Sequence, residues 1–113
     1  MGQRGKLVRI YVNEEDEFAG RPLYEAIVDR CRELKVAGAA AFRALEGFGE
    51  MAELHHAHLF GRSDLPILIT IVERPDKAEA MLPLLQEMMS SGLIAVTDVE
   101  ISVVANGSPT TLP

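Results

Sequence analysis

The chain has 113 residues, the size of one ordinary domain, which excludes a two-domain enzyme built from a cofactor half and a substrate half. With 48% hydrophobic and 25% charged residues it can build a core without disulfides, so disorder and low complexity are excluded too. Eleven basic against seventeen acidic residues give a net charge of -6, and aromatics are 5% with no Trp; nucleic acid is therefore not an expected partner.

Met1 to Lys6 runs straight into an alternating segment, with no apolar h-region, and Lys6 stands where a myristoylation signal needs Ser or Thr. Lys6 to Val12 places Val8, Ile10 and Val12 on one face and Leu7, Arg9 and Tyr11 on the other, the pattern of a first strand. Asn13 to Gly20 is acidic and turn-prone. Pro22 suits the first turn of a helix, and Leu23, Ala26, Ile27, Cys31 and Leu34 follow at helical spacing, with Gly38 as the expected stop. Cys31 reads as a small buried hydrophobe, and a lone cysteine closes no intrachain disulfide.

Ala39 to Glu46 is expected to be a second strand leading into Gly47-Phe48-Gly49, and Glu50 to Asp64 has no clear period. Pro66 to Val72 reads as a third strand, with Ile67, Ile69 and Ile71 on one face. This apolar run is too short to span a bilayer, so no membrane insertion is expected and the expected location is the cytoplasm. A second helix opens at Pro75 or Asp76 and carries Ala78, Met81, Leu82, Leu85, Met88 and Met89 to a stop at Gly92. Pro83 interrupts its pattern and suggests two short turns instead. In Leu93 to Val104, Ile94 and Val96 alternate in one phase while Val99, Ile101 and Val103 alternate in the other, which predicts a bulge near Thr97-Asp98 in the last strand. Residues 106–113 are expected to be a disordered tail behind a domain of residues 1–105.

Strand, helix, strand, strand, helix, strand is the split βαβ order of an α+β, ferredoxin-like βαββαβ fold: a four-stranded antiparallel sheet with two helices on one face. The other face keeps apolar residues, which predicts self-association.

The residues that follow carry a resemblance. Residues 38–49 and 64–72, around Gly47-Phe48-Gly49, resemble the PII signalling proteins near their nucleotide pocket. Leu7-Val8-Arg9-Ile10-Tyr11-Val12 and Pro22-Leu23-Tyr24-Glu25-Ala26-Ile27 are similar to the uncharacterised PII-like family called domain of unknown function one-ninety, and the likeness covers about residues 6 to 104. The resemblance implies a homotrimer with ligand clefts between subunits and a long loop that reports the bound state to a partner, by analogy a membrane transporter or an enzyme target. Gly47, Phe48 and Gly49 would form the neck against an adenine. Residues 50–63, with Glu50, Glu53, His55, His56, His58 and Arg62, would form the effector loop. Arg43 and Gly92 join the expected ligand-binding residues, because guanidinium offers a bidentate fork and PII proteins carry a glycine-rich phosphate loop after the second helix. This chain departs there: residues 91–98 hold one glycine and no Lys or Arg, so an adenine nucleotide with fewer phosphates, or another small metabolite, is the expected ligand. No cofactor is required.

No nucleophile elbow, P-loop or Cys–His motif is present, and the expected protein is a regulator and no enzyme. The acidic run Glu14 to Glu17 reads as a solvated loop, and Asp98 and Glu100 share one strand face without a cleft to separate their pKa values. The alternative, from another class, is a metal-binding trimer like the CutA proteins, holding its ion through His56 and His58, which would share one face if the segment is extended.

Overall fold

The structure, a computed structural model, describes residues 2–44 and 65–113. Its elements are β1 (Gln3–Asn13), β2 (Glu17–Phe18), β3 (Arg21–Pro22), α1 (Leu23–Glu33), β4 (Gly38–Arg43), β5 (Pro66–Glu73), α2 (Pro75–Gln86), β6 (Leu93–Ile101), β7 (Val103–Ala105) and β8 (Ser108–Thr110). β4, β5, β1 and β6 form one sheet in that order, with every neighbouring pair antiparallel. This is the expected ferredoxin-like α+β sheet; β2–β3 and β7–β8 are two small hairpins added to it.

The isoleucines and valines decide which face is inside. Val8, Ile10 and Val12 of β1 and Ile67, Ile69 and Ile71 of β5 point to one side and are almost completely buried. There they meet Leu23, Ile27 and Cys31 of α1 and Met81 and Leu85 of α2. Each fully buried aliphatic side chain contributes roughly 1.5–3 kcal/mol relative to an exposed one, so this layer dominates stability. Glu73 follows the isoleucines at the next inward position and is buried as well. Its carboxylate accepts from the Ala37 and Arg74 N–H groups, both at 2.8 Å, with the Lys77 ammonium at 3.5 Å. The charge thereby ties the end of β5 to the α1–β4 connection, as a buried carboxylate must be paired and hydrogen-bonded.

Four local expectations are corrected. α1 stops before Gly38: Lys35, at φ 57, takes the left-handed position, with Lys35 N–H donating to the Arg32 carbonyl and Val36 N–H to the Cys31 carbonyl, both at 3.1 Å. That bonding is a Schellman cap built on lysine, with half-buried Val36 supplying its hydrophobic contact. α2 runs through Pro83 as one helix ending at Gln86, because Pro83 faces solvent; the Glu87 N–H still donates to its carbonyl at 3.1 Å. Met88 and Met89 lie in the turn beyond.

The last strand has no bulge. Its register with β1 is continuous from Tyr11 opposite Leu93 to Gln3 opposite Ile101. Ile94 and Val96, opposite Ile10 and Val8, lie on the helix side, while Val99 and Ile101, opposite Gly5 and Gln3, lie on the open side. The change of phase is one strand serving two faces, and Gly5 makes room for it: a Cβ there would stand 2.0 Å from Ile101 Cδ1.

The tail also differs. β7 and β8 pair across Asn106 (φ 53) and Gly107 (φ 78), the two positive-φ residues of a tight hairpin turn, so the expected boundary at residue 105 falls inside an ordered hairpin. Beyond it, Leu112 N–H donates to Gln3 Oε1 at 2.6 Å and the Arg74 guanidinium to the Pro113 carbonyl at 3.0 Å.

Candidate functional site

The sheet gathers four chain segments at one end. β1 and β4 arrive there at Asn13 and Arg43; β5 and β6 leave from it at Pro66 and Leu93. Arg43 lies opposite Ile67, Asn13 opposite Pro66, and Tyr11 opposite Leu93. Ala44 N–H donates to the Pro66 carbonyl and Glu14 N–H to the Leu65 carbonyl, both at 2.9 Å. The chain therefore leaves for residues 45–64 and rejoins the sheet across a single hydrogen bond.

Arg43, an expected ligand contact, is ion-paired with Glu14 at this end, and the hydrogen bond it donates to that carboxylate raises the guanidinium pKa above its ordinary value. A phosphate or carboxylate would have to compete with Glu14 for the fork. The acidic run is only partly a solvated loop: Asn13 N–H donates to Asp16 Oδ2 at 2.9 Å, and Leu23 N–H donates to the Asp16 carbonyl at 2.8 Å. Asp16 thus fastens the end of β1 to the start of α1. Asn13 itself is 3% exposed, and its Oδ1 has no hydrogen-bond partner among the described residues. A buried acceptor left unpaired is costly and uncommon in native structures.

Gly92 sits at φ +140 with its α-carbon against β1: a Cβ would lie 2.7 Å from the Tyr11 carbonyl oxygen and 2.7 Å from Met89 Cε. Its first duty is packing. Beside it Gln86, Met89, Ser90 and Ser91 line an open depression of about 360 Å³. Neither Lys nor Arg belongs to that lining, which leaves the Gln86 amide, the Ser90 and Ser91 hydroxyls and backbone groups as the polar contacts it offers.

The open face of the sheet carries a continuous row at the same end. Phe42 lies opposite Leu68, Leu68 opposite Tyr11, and Tyr11 opposite Leu93, so the four side chains cross all four strands. Phe42 is 54%, Tyr11 40% and Leu93 46% exposed. The next row holds Ala40, Thr70, Arg9 and Ala95. At the far end of the sheet Asp98 pairs with Lys6, whose hydrogen bond lowers the aspartate pKa; Asp98 and Glu100, expected to share a face without a cleft, both line one of about 300 Å³ there.

Gly47, Phe48, Gly49, Glu50, Glu53, His55, His56, His58 and Arg62 lie outside the described residues. Among the described residues no group of three or more His, Cys, Asp or Glu is arranged to hold a metal ion, and no helix is long and apolar enough to cross a membrane. Of the residues expected to bind ligand, Arg43 and Gly92 lie at this sheet end, and sequence reasoning did not point to Asn13, Glu14, Asp16 or the aromatic row beside them. The row was open to discovery, since Tyr11 and Phe42 alternate out of phase with the core; nothing in the sequence marks the orphaned Asn13 oxygen.

Comparison with known proteins follows the same lines. The family model DUF190, described as "Uncharacterized ACR, COG1993", matches residues 5–101. A UPF0166 protein of Aquifex aeolicus is 35% identical over 97 residues, covering 85% of this chain and 91% of its own, and a UPF0166 protein of Methanocaldococcus jannaschii is 29% identical over 97 residues, covering 84% and 89%. Among solved structures, the nitrogen regulatory PII-like protein CPII of Thiomonas intermedia, bound to ADP, AMP and bicarbonate, superposes with a TM-score of 0.60 at 17% identity, over 89% of this chain and 98% of that one. A PII-like protein of Thermus thermophilus gives 0.61 at 19% identity, over 88% and 90%. At these identities the two structures establish a shared PII-like fold.

Proposed function

The chain belongs to the DUF190 family, and on that premise we propose that it is a PII-like regulatory protein and no enzyme: a cytoplasmic homotrimer that senses a small metabolite, an adenine nucleotide before others, in clefts between subunits. The observation that carries this reading is the convergence at one sheet end of the hydrogen bond joining Ala44 to Pro66, the Gly92 turn and the open depression beside it. In this reading Gly47, Phe48 and Gly49 form the neck, where glycines let a ligand approach the backbone and the ring offers a stacking face. Arg43 and Gly92 complete the pocket.

CPII, which shares the fold, is bound to ADP, AMP and bicarbonate, and this supports a nucleotide as the first ligand to test. The absence of Lys and Arg from residues 86–98 favours one with few phosphates. The open sheet face, with its row from Phe42 to Leu93, is the surface that trimer formation would cover. Signalling runs through residues 50–63: ligand at the neck orders this stretch, and the ordered stretch, with Glu50, Glu53, His55, His56, His58 and Arg62, engages or releases a transporter or an enzyme.

Isothermal titration with ATP, ADP, AMP and cyclic AMP, with mass from light scattering, tests both halves of the reading. Micromolar binding by a trimer is expected, with Phe48→Ala remaining trimeric but losing most of its affinity. A trimer that binds none of the four removes the nucleotide. A monomer removes the clefts themselves.

A further inference from the structure

A second cavity lies on the helix side of the molecule, between α1, α2 and the β2–β3 hairpin. Its volume of about 570 Å³ is within the range of small-ligand sites. Phe18, Leu84 and Met88 make its apolar surface, and Phe18 stands 39% exposed at the tip of a hairpin turned by Ala19 (φ 54) and Gly20 (φ 81).

The charges around the cavity are unevenly satisfied. Arg21 pairs with Asp29 and Glu25, Asp29 also with Arg32, and Arg30 with Glu33 at 3.2 Å. Those pairs occupy every charged lining group except Glu87, which has no ion-pair partner among the described residues. Glu87 is also the C-cap of α2, whose last turn contains no basic residue. A carboxylate there adds to the negative end of the helix dipole, where a cation is the favoured neighbour. The net charge of -6 draws cations toward the protein as a whole.

We propose that this groove binds a small organic cation with an apolar body, an arylalkyl ammonium or guanidinium, whose charge rests on the Glu87 carboxylate at the negative end of α2 and whose body lies on Phe18, Leu84 and Met88. Phe18 supplies both apolar area and a cation–π face. The groove shares no lining residue with the depression beside Gly92, and the proposal does not depend on the nucleotide reading.

Phenethylammonium chloride, titrated at constant ionic strength and followed by amide NMR shifts, is the probe, with 2-phenylethanol as its neutral counterpart. Saturable shifts are expected at Phe18, Ala19, Leu84, Glu87 and Met88, with a dissociation constant near ~1 mM, as suits a ligand of this size. The alcohol, and the ammonium with Glu87→Gln, should each bind about two- to fivefold more weakly, the value of one exposed charge pair. Phe18→Ala should weaken the ammonium as well. Equal binding of alcohol and ammonium, affinity unchanged in Glu87→Gln, or shifts confined to other residues would each overturn the assignment.

Discussion

Replacing Gly92 with alanine tests how the candidate site is built into the fold. The residue sits at φ +140, a conformation that costs a residue with a Cβ about 1–2 kcal/mol. The new methyl would also stand 2.7 Å from two atoms of different character. Met89 Cε, the end of a flexible side chain, can swing aside. The Tyr11 carbonyl belongs to the strand paired on both sides, and moving it disturbs two ladders at once. Overpacking of that kind costs about 1–3 kcal/mol, so the sum is about 2–5 kcal/mol, or a melting point lower by about 8–20 °C for a domain of this length. Gly20→Ala is the control: it is also left-handed, at φ +81, but its Cβ would meet nothing within 4 Å. Conformational strain alone should lower its melting point by about 4–8 °C. Circular dichroism melts of the two variants decide the matter. A Gly92→Ala protein that melts no lower than Gly20→Ala would refute the close approach to β1, and with it the view that Gly92 is held primarily by packing.

Three further outcomes are expected. Gly5→Ala should destabilise by about 2 kcal/mol in urea, and Ile101→Ala should recover much of that loss, a coupling of about 1–2 kcal/mol where independent sites would simply add. Lys35→Gly should stabilise by about 0.5–1 kcal/mol, since glycine accepts the left-handed cap without strain; a less stable variant would contradict the Schellman geometry. Burial pushes the Cys31 thiol from 9.0 up to about 11, so its contribution is intact below pH 9 and fades as the pH rises toward 11, because the unfolded thiol ionises first. That loss is about 2–3 kcal/mol, and denaturation of Cys31→Val over the same interval should lack it.

What could be read from the sequence follows the strength of each local signal. The alternation of Val8, Ile10 and Val12 and of Ile67, Ile69 and Ile71 is unbroken, so the two central strands and the buried face were legible. Where two physical effects competed, the reading went astray. Glycine is the usual end of a helix, yet Lys35 takes that place because Val36 gains burial by it. The phase change in β6 resembled a bulge because sequence does not show that Gly5, far away along the chain, leaves a space for Ile101. Asn106-Gly107 carried a hairpin signal that the polar composition of the tail concealed. At the candidate site, Gly92 was legible as a turn residue, whereas the Arg43–Glu14 pair and the Asp16 clamp depend on segments that meet only in three dimensions.

The hydrogen bond from Ala44 to the Pro66 carbonyl also bears on how this scaffold can vary. It holds the exit and return of the chain together, so the strands on either side do not sense how much chain lies between them. Closure entropy grows only with the logarithm of that length, and doubling it costs about 0.6 kcal/mol. The sheet end itself therefore places little constraint on how many residues the chain carries between Ala44 and Leu65.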